Sequence, residues 1–174
     1  SPDEKNRLSA YFSFQITARK SYYGCTGKGT DEDKETAENA YGTTHNFTYV
    51  AGTQYVHSFD KLLFMPSDLT LGAEYSYDGI KDVILGYDRN FKQDVRIGSF
   101  FFQNEWKNKQ WSFLLGGRLD KHNLVDHVIL SPRANLRFNP TENVNLRITY
   151  AGGFRAPQAF DEDLHVGVVG GERL

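Results

Sequence analysis

The side chains able to do chemistry in this 174-residue chain are few, and their spacing is poor for catalysis. Five histidines, His45, His57, His122, His127 and His165, are the candidate metal or haem ligands. His122 and His127 straddle one segment and could meet in space, but two imidazoles without a carboxylate pattern do not specify a metal. Two acidic runs, DEDKETAE at 31–38 and DED at 161–163, cluster oxygen ligands. Neither has the spacing of a calcium-binding helix–loop–helix, and each is expected to be a solvated loop. Serine and histidine occur without the spacing of an activated nucleophile, so no enzyme is expected. Cys25 stands alone in a glycine-rich stretch, which excludes an internal disulfide and leaves a simple exposed thiol. A net charge of -2 suggests no polyanion-binding surface, and nucleic acid is not an expected partner.

Arginine, by contrast, recurs with a fixed parity, and that parity belongs to strands. In 8–18 Leu8, Ala10, Phe12, Phe14, Ile16 and Ala18 alternate with Ser9, Tyr11, Ser13, Gln15 and Thr17, flanked by Arg7 and Arg19. In 68–77 Leu69, Leu71, Ala73, Tyr75 and Tyr77 alternate with a polar set that includes Glu74. In 128–138 Leu130, Ala134, Leu136 and Phe138 alternate with Ser131, Arg133, Asn135 and Arg137, and in 142–150 Val144, Leu146, Ile148 and Tyr150 alternate with Asn145, Arg147 and Thr149. Three further strands, 46–57, 93–106 and 110–119, are less clean. In 93–106 Val95, Ile97 and Phe101 share a face opposite Asp94, Arg96 and Gly98, while Phe100 and Phe102 blur the pattern. Seven strands result, most of them long enough for the roughly 9 to 11 residues that a tilted strand needs to cross a bilayer.

The composition suits strands and turns: aromatics reach 14% and glycine numbers 16. SPDEKNRLSA has no apolar core of a signal peptide, and no run approaches the ~18 apolar residues of a transmembrane helix. The mean hydropathy of -0.56 does not exclude a membrane, because a barrel strand shows only alternate residues to lipid. Connections point the same way. Long ones (20–45, 78–92), a moderate one (58–67) and an eight-residue one (120–127) alternate imperfectly with tight ones at 107–109 and 139–142. In an up-and-down meander this sorts longer loops to one rim and turns to the other, as in outer-membrane barrels. Aromatics sit where strands meet loops: Tyr22, Tyr23 and Tyr41, then Tyr77 and Tyr87, then Trp106 and Trp111. The alternative is a soluble β-sandwich interaction module with polar outer faces, whereas a barrel turns Leu69, Leu71, Leu146 and Ile148 toward lipid.

Seven strands leave a barrel unclosed, and an open edge in lipid costs several kcal/mol per unpaired backbone group. An arc of a larger barrel is therefore expected. The segment SPRANLRFNPTENVNLRITYAGGFRAP, continuing as QAFDEDLH to 165, closely resembles the mid-barrel signature of TonB-dependent outer-membrane receptors, in which a strand ending Tyr-x-x-Gly-Phe-Arg-Ala-Pro enters an extracellular loop. LTLGAEYSYD from Leu69 and GGRLDKH from Gly116 fit the same family, and the resemblance covers nearly the whole chain in order. It is closest to the cobalamin, haem and siderophore receptors of Bacteroidetes-type bacteria.

The resemblance implies an all-β antiparallel meander, about seven strands of a barrel of roughly 22 strands. Residues 1–174 would form a partial barrel domain, with extracellular loops near 20–45, 78–92, 120–127 and 152–174, lacking the plug and the TonB-binding segment of the family. It implies a bacterial outer-membrane location and uptake of a scarce nutrient, a metal chelate or cobalamin-type ligand. The implied partners are outer-membrane lipid, the TonB energy-coupling complex acting through the plug, and a surface lipoprotein over the mouth. Arg7, Arg19, Glu74, Arg96, Arg118, Arg133, Arg147 and Arg155 would line the lumen or hold the plug. Arg155→Ala is expected to weaken plug packing more than substrate affinity. Tyr22, Tyr23, Tyr41 and Tyr87 are the loop residues expected to touch ligand. His165, downstream of the Phe-Arg-Ala-Pro motif as in haem-transporting relatives, joins them. No resident cofactor is expected, although some cobalamin receptors bind calcium through acidic loops such as these.

Overall fold

A computed structural model describes residues 5–22, 30–31, 34, 40–84 and 89–154. They form one antiparallel seven-stranded sheet in simple chain order. The strands are β1 (Asn6–Tyr22), β2 (Tyr41–Leu62), β3 (Met65–Ile84), β4 (Arg89–Lys107), β5 (Trp111–His122), β6 (Val128–Thr141) and β7 (Val144–Ala151). This is the expected meander, and among the described residues no second sheet packs against it, so the sandwich alternative has no support.

The strands are longer than the alternation suggests. β2, β3 and β4 run 22, 20 and 19 residues, about twice what a bilayer requires. The connection expected at 58–67 is strand up to Leu62 and again from Met65, leaving a turn at Leu63 and Phe64. Leu63 occupies the left-handed region at a φ of 63°, a conformation that a hairpin turn demands and a leucine tolerates poorly. The loop expected at 78–92 is likewise mostly strand, since β3 continues to Ile84 and β4 starts at Arg89. The turns at 63–64, 108–110 and 142–143 all lie at one rim, and the other connections at the opposite rim. Loop sorting is thus sharper than expected.

Register assigns the faces. Through direct cross-strand pairs, Leu8, Tyr55, Leu71, Phe102, Gly117 and Pro132 share one row and one face. Leu136 and Ile148 continue this outer face into β7. It is strongly exposed: Leu8, Ile16 and Ile148 are 74%, 70% and 72% accessible. Among the described residues only Ala40, Ile84, Val95 and Ile129 form a buried apolar core. A sheet with so little core and so large an apolar face needs an apolar solvent.

Aromatic rows bound that face. At the turn rim Trp106 stacks between Phe64 and Phe113, both at 5.7 Å, and its indole N–H donates to the Leu62 carbonyl at 3.0 Å. Trp111 stacks on Phe138 at 4.1 Å. Higher up, Phe12, Phe14, Phe47, Tyr49, Tyr75 and Tyr77 form a continuous cluster. Trp106 pairs with Ser67, ten positions before Tyr77 on β3. That separation is about 33 Å along a strand, or about 25 Å at barrel tilt, the height of a lipid-facing band.

One face assignment departs from expectation. Register places Phe100 and Phe102 outward with Gly98, Arg96 and Asp94, and Val95, Ile97 and Phe101 inward. Three consecutive phenylalanines carry no parity of their own, so pairing with β3 and β5 decides it.

Candidate functional site

The inner face carries polar residues from every strand, and side chains converge on it across intervening strands. At its centre Tyr11 of β1 lies over Gly52, its direct partner on β2, and its hydroxyl donates to Glu74 of β3. A Cβ at position 52 would collide with the tyrosine ring, so glycine is what opens this route. From the other side Arg118 of β5 reaches across β4 to Glu74 at 2.6 Å. Its Nε donates to Asp120 at 2.8 Å and its Nη2 to Ser99 Oγ at 2.7 Å, while Ser99 donates to Asp120 at 2.5 Å. One guanidinium thus balances two carboxylates and ties β1, β3, β4 and β5 together. Phe101 covers Gly72, its direct partner, in the same way.

Below, near the turn rim, Asp68 accepts from Ser58 at 2.7 Å and pairs with Lys107. Above, Asp78 accepts from Asn46 at 2.6 Å and from Thr48 at 3.1 Å, and Asp82 accepts from Thr44 at 2.6 Å. A concavity of about 300 Å³ opens here between Arg19, Thr17, Asn46, Asp78 and Gln93. A second, of about 480 Å³, lies lower, with Tyr11, Glu74, Arg118 and Arg133 in its wall. On the far side Arg133, Arg137 and Arg147 line the inner face of β6 and β7, and Arg137 stands directly opposite Arg147.

Most of the expected lumen residues lie on this one face: Arg7, Arg19, Glu74, Arg118, Arg133 and Arg147. Arg96 does not. It sits on the outer face directly opposite Tyr77, level with the upper aromatic cluster. Tyr22 and Tyr41 are register partners at the tip of β1 and β2, with rings 4.7 Å apart, on the outer parity. Tyr23, Tyr87, Arg155, His165, Cys25, the run at 161–163 and most of 31–38 lie outside the described residues. His122 is buried and accepts the Leu124 N–H at 3.0 Å, whereas His127 is exposed. Tyr11, Ser99 and Asp120 were not singled out by sequence. Tyr11 shares the parity of Arg7 and Arg19, but its glycine partner is visible only in the register. Among the described residues no group of three His, Cys, Asp or Glu side chains is placed to hold a metal ion.

A lipid-facing band on one side and a charged, hydrogen-bonded wall on the other is the division of labour of a transmembrane barrel with a polar interior. The family model of the TonB dependent receptor-like β-barrel matches residues 3–171. The chain belongs to this family. TonB-dependent receptors are outer-membrane proteins of Gram-negative bacteria and act as transporters rather than enzymes. No curated protein and no solved structure matches the chain.

Proposed function

We propose that this arc belongs to a receptor that captures an iron chelate, haem or cobalamin and imports it actively, with TonB acting through a plug seated in the lumen. The carrying observation is the family match over residues 3–171 together with a lumen wall that offers donors at two heights. The upper concavity around Arg19, Asn46, Asp78 and Gln93 supplies cation, amides and carboxylate to a large polar ligand entering from the loop side. Arg133, Arg137 and Arg147 supply guanidiniums at bilayer depth, suited to carboxylates of the plug. Glu74 and Arg118, already satisfied within the sheet, stiffen the wall between them. Tyr22 and Tyr41 at the strand tips, with Tyr23, Tyr87 and His165, are the loop contacts assigned to ligand, and a surface lipoprotein over the mouth fits the same scheme. Calcium in the acidic loops is an accessory in this scheme.

The test is uptake of radiolabelled cobalamin, haem and ferric chelates by cells whose only such receptor is the full-length protein. One of the three should accumulate, and accumulation should stop when TonB is deleted. Failure of all three to bind or accumulate would sink the nutrient assignment.

A further inference from the structure

We infer that the outer face beside the turn-rim aromatics carries a groove for one lipid of ceramide type, whose amide and hydroxyl groups pair with the side-chain amide of Asn104. The inference rests on the sheet spanning a membrane and is independent of the nutrient carried. Asn104 of β4 has the outward parity, and Leu69 and Leu115 are its direct partners on β3 and β5. The same row continues through Ala134 to Tyr150. Ala134 is the smallest side chain of the row and lies between two large ones. A groove of about 390 Å³ runs here, lined by Leu69, Phe102, Asn104, Leu115, Ala134 and Tyr150. Both amide atoms of Asn104, Nδ2 and Oδ1, are buried and have no partner among the described residues. Ser67, directly opposite Trp106 and one outward position nearer the turn, has its Oγ buried and unpaired in the same way.

Depth and hydrogen-bonding polarity define the missing partner. Asn104 lies two residues above Trp106, about 7 Å along the strand and about 5 Å of height at barrel tilt. Trp106, stacked between Phe64 and Phe113, marks the interface at the turn rim, so the amide sits at the edge of the hydrocarbon, where headgroups join acyl chains. Water does not serve it there, and an unpaired amide in hydrocarbon is strongly unfavourable. Nδ2 needs an acceptor and Oδ1 needs a donor. An ester carbonyl or a phosphodiester only accepts, so the linkage of a glycerolipid leaves Oδ1 unmet. Ser67, Leu71, Phe102 and Phe113, the outward neighbours of Asn104, also carry no charge to hold a phosphate. An amide-linked chain with an adjacent hydroxyl offers both a donor and an acceptor. A second copy of Asn104 would offer both as well, but this face is hollow at Asn104, and two hollows set against each other leave the amides apart. The exposed side chains of Phe102, Leu115 and Tyr150 flank an acyl chain laid in the groove.

The experiment uses the full-length receptor in nanodiscs of phosphatidylcholine with equal minor fractions of ceramide phosphoethanolamine and phosphatidylethanolamine of matched chain length, reading the co-retained lipid by native mass spectrometry. The two lipids share a headgroup and differ in the linkage, so their ratio reports the amide and hydroxyl alone. The wild type should retain the ceramide lipid about fivefold over the ester lipid. Asn104→Leu, which removes the amide, and Ala134→Phe, which fills the groove, should each bring that ratio close to one. Leu8→Ala, on the same face at the far end of the sheet, should leave it unchanged. Each variant is checked for a folded barrel by heat-dependent gel mobility, so loss of folding is not read as loss of binding. A wild-type ratio near one, or no retention of either lipid, overturns the proposal. So does a preference that survives Asn104→Leu. A wild-type pair of receptors that becomes single in Asn104→Leu also overturns it, because a second copy would then be the occupant.

Discussion

In the tall half of the sheet, β1 to β4, strands run 17 to 22 residues, and Asp68, Glu74, Asp78 and Asp82 on the inner face each have a donor from another strand. In the short half, β5 to β7, strands run 8 to 14 residues, and Arg133, Arg137 and Arg147 have no carboxylate partner among the described residues. The carboxylates of the tall half are thus satisfied, Glu74 with the help of Arg118 from β5. The short half presents open donors on its inner face, with Arg118 at the junction serving the carboxylate side. Rigidity and availability are thus assigned to different parts of one wall, because a paired charge is held in place whereas an unpaired guanidinium is free to engage something new.

The largest expected effects test whether both halves share one lipid band. Leu71→Arg in the tall half and Ile148→Arg in the short half should each destabilise the full receptor by about 2–4 kcal/mol in denaturant titrations from lipid. Thr43→Arg, on the outer face above the aromatic cluster, should cost less than about 0.5 kcal/mol. Equal costs at all three positions would erase the distinction between membrane and protruding strand.

Next comes the junction. Arg118→Gln leaves Glu74 and Asp120 without their cation, and its side chain is 38% exposed, so solvent screening limits the loss to about 1–2 kcal/mol. Tyr11→Phe removes one donor to Glu74 from across Gly52 and should cost about 0.5–1.5 kcal/mol by the same measurement. The smallest stability effect belongs to the short half: Arg137→Gln or Arg147→Gln should change stability by less than about 0.5 kcal/mol, since it relieves a directly opposed like-charge pair. The same variants should reduce uptake. A stability loss as large as that of Arg118→Gln would mean that the arginine wall is also closed within the barrel.

Legibility in the sequence followed the outer face. Where apolar residues alternate over a membrane thickness, as in 8–18, 128–138 and 142–150, existence, type and parity of the strand were readable. Where a strand leaves the lipid it loses that face, so the polar upper ends of β2 and β3, with Thr43, His45, Asp78 and Asp82, looked like loop. At 58–67 a strand end and a turn containing Leu63 lacked the glycine or asparagine that marks a hairpin, and the turn was overestimated. Six of the residues expected in the lumen share the inner face because arginine and glutamate kept a polar parity. Arg96 was misplaced because Phe100, Phe101 and Phe102 in succession conceal which neighbour faces lipid.

By itself the sequence determined the meander, the strand count and the two-faced chemistry, because alternation is a local property of a pleated chain and lipid imposes it strand by strand. Only the tertiary structure decided which groups meet. That Tyr11 crosses a glycine to Glu74, that Arg118 reaches the same carboxylate from the opposite side, and that Lys81 stands against Lys92 all depend on register. Register is set by pairing between strands that are distant in sequence, and no single strand contains it.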